Sequence, residues 1–221
     1  MFPIRDTRSS SSIPFINYAI IFINIFVFIL YIGSVDIESF IRTFGFTPAD
    51  FNAFNPFSYL PIFTSMWMHG GILHLVLNMW FLHIFGDNVE DRVGHFRYLI
   101  FYILAGTAAV FSQYIFNTQS IVPIIGASGA ISGITGMYIV YFPHSRIQAL
   151  VPSLFGFWHM IKLPSWFFLG YWFVIQVFSG VGSLATIQYN EGGVAFFAHI
   201  GGFVFGYLIA SLYKGRRHFY T

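Results

Sequence analysis

The chain has 221 residues, of which 57% are hydrophobic and only 8% are charged, with a formal net charge of +2. Soluble globular domains carry about 25% charged residues, so this composition excludes a soluble protein and predicts an integral membrane protein. The small net charge gives no reason to expect a nucleic-acid partner, and the absence of cysteine excludes disulfides and thiolate metal sites.

Six apolar segments follow one another along the chain, and each is interpreted as a membrane-spanning helix. They cover residues 15–32, 70–85, 98–116, 127–142, 165–182 and 194–213. The predicted fold class is therefore all-α, a polytopic membrane helical bundle with six transmembrane helices. The expected organisation is an N-terminal segment at 1–14, a six-span membrane domain at 15–213 and a C-terminal tail at 214–221.

The longer connections between these segments are expected to lie at the membrane surface. Residues 33–68 are rich in phenylalanine but too interrupted by polar residues and prolines to span, which is typical of an interfacial segment. A charged turn is expected at 87–97, after the second span. Residues 143–163 contain prolines and basic residues and are predicted to form a partly apolar loop.

The distribution of lysine and arginine predicts the orientation in the membrane. With the N-terminus in the cytoplasm, all ten basic residues except Arg42 fall on the cytoplasmic side, as the positive-inside rule requires. Both termini are therefore expected in the cytoplasm. Because no additional domain or organelle-targeting signal is recognised, a prokaryotic plasma membrane is the expected location.

Polar residues recur near one end of alternate spans. His74 and Asn78 lie in the first half of the second span, Ser128 opens the fourth, and His199 lies near the start of the sixth. At ~1.5 Å rise per residue, all fall within roughly 15 Å of the outer end of their helices. The sequence thus predicts one polar cluster opening to the outer side. Such residues also bond helices together, but ionisable groups inside spans are functional candidates.

Small residues indicate which spans pack together. They recur every four positions along the sixth span, at Ala198, Gly202, Gly206 and Ala210. A similar stripe follows the fourth span, at Ser128, Ser132 and Gly136, with Gly129 and Gly133 beside it. Facing stripes of small residues allow backbones to approach closely, which would bring His199 within reach of Ser128.

Ser128 lies in the run Gly126-x-Ser128-Gly129, where glycines leave backbone N–H groups uncovered. This arrangement suits a nucleophile with an oxyanion site beside it, although small residues also serve helix packing. A metalloprotease would be expected to contain His-Glu-x-x-His, which is absent, and a membrane aspartyl protease would need paired aspartates inside spans. Neither a metal nor another cofactor is therefore expected.

Taken together, these motifs resemble the rhomboid family of intramembrane serine proteases. The resemblance rests on His74-x-x-x-Asn78, Gly126-x-Ser128-Gly129 and Ala198-His199-x-x-Gly202-x-x-x-Gly206, and covers the six spans; Gly86, Glu90 and Gly94 also resemble the family pattern. It implies that Ser128 is the nucleophile and His199 the general base. Asn78 and His74 would stabilise the oxyanion, with single-span membrane proteins as substrates that enter laterally past spans two and five.

The chain departs from the family pattern at Ser132. Many members have an aromatic residue there that stacks on the histidine, so the sequence leaves open what orients His199. The long first loop also lacks the common Trp-Arg pair. The alternative function is a catalytically inactive rhomboid-like protein that binds membrane clients. A transporter or channel is disfavoured because no span contains a carboxylate or arginine marking an ion path.

Overall fold

The computed structural model describes residues 1–34, 36–153, 157–185 and 193–216. The helices in these ranges are α1 (Phe15–Ile32), α2 (Ile37–Phe44), α3 (Leu60–Thr64), α4 (Ile72–Val93), α5 (His95–Phe116), α6 (Ser128–Tyr141), α7 (Ser165–Ala185) and α8 (Phe196–Arg216). Short 3₁₀ turns lie at Pro48–Asp50, Pro56–Tyr59 and Ser65–Trp67. Three strands, β1 (Phe2–Asp6), β2 (Arg146–Pro152) and β3 (Trp158–Pro164), form an antiparallel sheet in that order.

Five of these helices, α1, α4, α5, α7 and α8, are long and apolar enough to cross a membrane. The fourth predicted span corresponds to α6, which has 14 residues. At ~1.5 Å per residue it is about 21 Å long, shorter than a hydrocarbon core of about 30 Å. Its residues from Gly129 to Tyr138 are buried because α4, α5, α7 and α8 pack around it. The prediction of a polytopic helical membrane bundle is confirmed, with α6 at its centre.

The contact between α6 and α8 depends on glycines on both helices. A Cβ atom built on Gly202 would overlap the carbonyl oxygen of Gly129, and one on Gly206 would overlap that of Gly133. On the α6 side, a Cβ on Gly136 would overlap the carbonyl oxygen of Phe203. Backbone therefore lies directly on backbone along this interface, an approach that only residues without a side chain allow.

The second span is longer than predicted. We expected it to end near Phe85 before a charged turn, but α4 continues to Val93 and the chain turns at Gly94, whose φ is +87°. The charged residues stay helical because they have partners. The buried Glu90 carboxylate accepts the backbone N–H groups of Ile16 (3.0 Å) and Asn17 (2.7 Å), at the start of α1. It thereby satisfies donors that the N-cap residue Pro14 leaves unpaired.

The sheet was not predicted, because residues 1–14 were interpreted as a polar segment and 143–163 as a loop. β1 lies along α4: the Trp80 indole N–H donates to the Pro3 carbonyl at 2.7 Å, and the Asn88 amide donates to Asp6 at 2.9 Å. β3 leads directly into α7. The sheet therefore connects the ends of α4 and α7 that are remote from the start of α6. Its inward side chains, such as Ile147, are fully buried.

Of the predicted tail at 214–221, α8 includes the chain as far as Arg216, and residues 217–221 lie outside the described part. The connection at 33–68 is not extended: α2, α3 and the 3₁₀ turns fold it over the bundle. Asp36 starts α2 by accepting the backbone N–H of Ser39 at 2.9 Å, which is an ordinary N-cap.

Asp6 is a partly buried carboxylate at the junction of β1, α4 and α6. The Tyr138 hydroxyl donates to it at 2.6 Å. Burial raises the pKa of Asp6 from 3.8 to about 6; the Tyr138 hydrogen bond opposes this shift, and the neighbouring Asp87 adds to it. The folded protein therefore holds a proton on Asp6 more tightly than the unfolded chain does.

We expect Gly206→Ala to lower stability by about 1–3 kcal/mol or more, because the added methyl group overlaps the Gly133 carbonyl and forces α6 and α8 apart. Thermal unfolding in detergent measures the effect. Gly182→Ala in α7 is the matched control: nothing lies within 4 Å of its Cβ position, so it should be neutral or slightly stabilising. Equal melting temperatures for the two variants would contradict the packing.

The Asp6 pKa predicts a pH-dependent contribution to stability. The folded pKa lies above the unfolded value, so the contribution is fully present below pH 3.8 and is lost as the pH rises through about 6. Relative to Asp6→Asn, which keeps an acceptor for Tyr138 but cannot ionise, the wild type should therefore be more stable at pH 5 than at pH 8. Melting temperatures of both proteins at the two pH values test this. A pH-independent difference would show that Asp6 does not titrate as described.

Candidate active site

Ser128 is the first residue of α6 and is partly buried. Gly126 has a φ of +125°, a conformation that favours glycine, and Ala127 is the N-cap residue. The first N–H groups of a helix have no partner within it, and they carry the positive end of the helix dipole. Ser128 therefore lies where an anion forming beside its hydroxyl would be stabilised.

The structure brings Ser128 and His199 together. His199 lies in the first turn of α8, and its Nε2 atom is 2.8 Å from the Ser128 Oγ atom. The distance is within hydrogen-bonding range, so the ring can accept the hydroxyl proton. The close contact of α6 and α8 at Gly129 and Gly202 places these side chains against each other.

Two residues of α7 contact the His199 ring, and sequence reasoning identified neither contact. Its Nδ1 atom lies 2.8 Å from the Gln176 side-chain oxygen Oε1. One helical turn earlier, the Trp172 ring is 5.9 Å from the His199 ring, between centroids, at an angle of 34°. An aromatic neighbour thus comes from α7 rather than from position 132. The sequence contains a signal that could have identified Gln176, because it is a long polar side chain in an otherwise apolar span.

At position 132, the serine hydroxyl bonds within its own helix. The Ser132 Oγ donates to the Ser128 carbonyl oxygen at 2.6 Å. This hydroxyl is a short polar group on the wall beside Ser128 and leaves room where an aromatic ring would lie. Thr135 similarly donates to the Ser132 carbonyl at 2.8 Å.

His74 and Asn78 lie on one face of α4, beside the serine. The Gly70 N–H donates to the His74 Nδ1 atom at 3.3 Å. The His74 ring lies so close to Gly126 that a Cβ there would be 2.9 Å from its Nε2 atom. The buried Asn78 amide donates one hydrogen bond to the His74 carbonyl at 2.9 Å. A primary amide has two N–H donors, so a second one is available to the site.

His69 is a third histidine near the site, just before α4. It is fully buried, and its ring centroid is 5.0 Å from that of His74. Burial, and to a lesser extent the neighbouring His74, lowers the pKa of His69 to about 3, so this ring is neutral at physiological pH. The Tyr31 hydroxyl holds its backbone, donating to the carbonyl and accepting the N–H.

These side chains surround a cavity of about 1050 Å³ whose lining includes His74, Asn78, Ser128, Trp172 and His199. The volume is large enough for several residues of an extended peptide. Its walls combine apolar side chains with a few convergent polar groups, as expected of a ligand-binding cavity. Among the described residues, no group of three or more His, Asp or Glu side chains is arranged to hold a metal ion.

Comparison with known proteins identifies one family. The sequence model of the Rhomboid domain matches residues 56–216. RHOMBOID-like protein 6, mitochondrial, of Arabidopsis thaliana is 30% identical over 67% of this chain and 41% of its own length. RHOMBOID-like protein 1 of the same plant is 28% identical over 69% of this chain and 34% of its own length. Presenilin-associated rhomboid-like protein A, mitochondrial, of Danio rerio is 26% identical, over 66% of this chain and 36% of its length.

These relatives correct the predicted location. They are eukaryotic, and several are named as mitochondrial proteins, so the expectation of a prokaryotic plasma membrane is wrong. That expectation relied on the absence of a recognisable targeting signal, which is weak information about location. What stands is the membrane character of the chain. The chain spans less than half the length of these relatives.

Proposed function

Because the chain belongs to the rhomboid family, we propose that it is an intramembrane serine endopeptidase with a Ser128–His199 dyad. The observation that carries the proposal is the 2.8 Å contact between the His199 Nε2 and Ser128 Oγ atoms. Nucleophilic catalysis by serine needs a base at this distance, because the hydroxyl is a weak nucleophile while it keeps its proton. The proposed catalytic unit is the membrane domain at residues 15–213.

In the first chemical step, the Ser128 Oγ atom attacks the carbonyl carbon of the scissile peptide bond while its proton passes to the His199 Nε2 atom. The bond between the carbonyl carbon and the nitrogen then breaks, and His199 returns this proton to the leaving amine. Water then attacks the acyl carbonyl carbon while His199 accepts one of its protons; the bond between this carbon and the Ser128 Oγ atom breaks, and His199 returns the proton to Ser128. The polar groups on the cavity wall would allow water to enter, which lipid alone would not.

The oxyanion formed during attack needs hydrogen-bond donors. Three groups near Ser128 are proposed for this role: the Ser128 backbone N–H at the start of α6, the second N–H of the Asn78 amide, and the His74 ring. All three lie on the wall of the same cavity. Donors fixed before the reaction stabilise developing charge without reorganising, which makes them effective in a site of low dielectric constant.

The proposed substrates are single-span membrane proteins. A segment bound in the cavity must present an extended backbone, because a helix hides its carbonyl groups within its own hydrogen bonds. Entry between α4 and α7 would bring the segment directly from the bilayer, past Trp172 and the His74 face of α4. Neither a metal nor another cofactor is required by this chemistry.

We expect a fluorescent fluorophosphonate to label the wild type in detergent and to label neither Ser128→Ala nor His199→Ala, because labelling requires the nucleophile and its base. In-gel fluorescence measures labelling, and circular dichroism establishes that each variant is folded. Ser211→Ala and His83→Ala are matched controls, since both residues are exposed and outside the cavity. They should label normally. A folded wild type without Ser128-dependent labelling would overturn the protease and favour the binding of membrane clients.

We expect Asn78→Ala to reduce the rate constant for cleavage of a model single-span substrate by about 10²–10³, as found for other oxyanion donors. The loss should occur in kcat with little change in KM, because the donor acts on the transition state. Val76→Ala, on the exposed side of α4, is the control and should cleave normally. A loss confined to KM would instead make Asn78 a substrate-binding residue.

A further inference from the structure

The hydrogen bond between α7 and His199 suggests a further residue that shapes the reaction. The Gln176 Oε1 atom lies 2.8 Å from the His199 Nδ1 atom, and Gln176 is only 8% exposed. Its neighbour on the same helix face, Trp172, packs beside the His199 ring and also against Phe203 of α8. A buried polar side chain aimed at the free nitrogen of the base is not explained by packing alone.

We propose that Gln176 is the positioning residue of His199 and fixes the ring in the tautomer that serves as a base. The inference rests on the protease function proposed above. Gln176 does not line the cavity and does not contact Ser128, so it would act through the imidazole. It therefore has the place that a carboxylate occupies in a Ser-His-Asp triad, but with a neutral amide.

The tautomer follows from the donors and acceptors around the ring. A neutral imidazole has one N–H and one unprotonated nitrogen. With the proton on Nδ1, this nitrogen donates to the Gln176 Oε1 atom, and the Nε2 lone pair faces the Ser128 hydroxyl. With the proton on Nε2 and the amide in its observed orientation, the Nδ1 lone pair would face the amide oxygen, and two acceptors would repel each other. Gln176 thus favours the tautomer that can accept the serine proton.

The same hydrogen bond becomes stronger during the reaction. When the Ser128 proton moves to the Nε2 atom, the ring becomes an imidazolium, and its Nδ1–H becomes a charged donor to the Gln176 oxygen. In this orientation the Gln176 amide accepts through its Oε1 atom, and because the amide is neutral it gains and loses no proton in the step. When His199 passes its proton to the leaving amine, the ring returns to the starting tautomer.

The test is the rate of fluorophosphonate labelling of the full chain in detergent, resolved into the maximal rate constant kinact and the half-saturation constant KI. Gln176→Met has a similar shape but no acceptor, so we expect kinact to fall about tenfold while KI is unchanged. Gln176→Glu keeps an oxygen facing the Nδ1 atom and should restore kinact above that of Gln176→Met. Ile175→Met, on the exposed side of α7, is the matched control and should label at the wild-type rate.

Three results would overturn the inference: a Gln176→Met variant with wild-type kinact, a Gln176→Glu variant as slow as Gln176→Met, or a loss confined to KI. If Gln176→Met is unfolded by circular dichroism, Gln176→Asn replaces it, since its shorter side chain withdraws the acceptor. Ser128-dependent labelling of the wild type separates the two proposals. A labelling rate that is unchanged by substitution of Gln176 contradicts only the positioning role. A folded wild type without Ser128-dependent labelling contradicts the proposed protease function itself.

Discussion

The direct contact of backbone on backbone between α6 and α8 is the constraint on which the site depends. Gly129 and Gly133 face Gly202 and Gly206 so closely that a single methyl group at either α8 position would overlap a carbonyl oxygen. Ser128 and His199 lie at one end of this contact, and the close approach of the helices brings the His199 Nε2 and Ser128 Oγ atoms to 2.8 Å. In a bilayer, where lipid is as apolar as leucine, such close packing provides association that hydrophobic burial does not.

Polar groups at the other end of the bundle have hydrogen-bond partners within the protein, which offset the cost of burying them. The Glu90 carboxylate is fully buried, yet it accepts N–H groups from the first turn of α1. Asp6 is held by Tyr138 and Asn88. Each carboxylate joins elements that are distant in sequence. These groups orient helices, whereas the polar groups near Ser128 face an open cavity.

The features of the fold that could be predicted from the sequence are those specified by residues close together in the chain. The apolar segments located the six helices, since lipid selects continuous apolar runs. The C-terminal end of α4 was misjudged because the partners of Glu90 come from α1, far along the chain. The sheet was missed for the same reason: β1 pairs with β2, far along the chain, and side chains of α4 and α6 supply further hydrogen bonds to Pro3 and Asp6. Proximity of His74, Ser128 and His199 was expected from matched depth, but Gln176 faces His199 through a rotation of α7 that no spacing specifies.

The sheet has a mechanical consequence for the proposed route of entry between α4 and α7. β1 is fastened to α4 at Trp80 and Asn88, and β3 continues into α7, so the far ends of these helices are tied through three hydrogen-bonded strands. Strand ladders resist sliding and stretching, while α7 packs mainly on α8. If the proposed substrates enter between α4 and α7, the sheet would hold this end of α7 in place, so α7 would tilt about it and separate from α4 mainly at its other end. The widest opening would then lie beside Ser128.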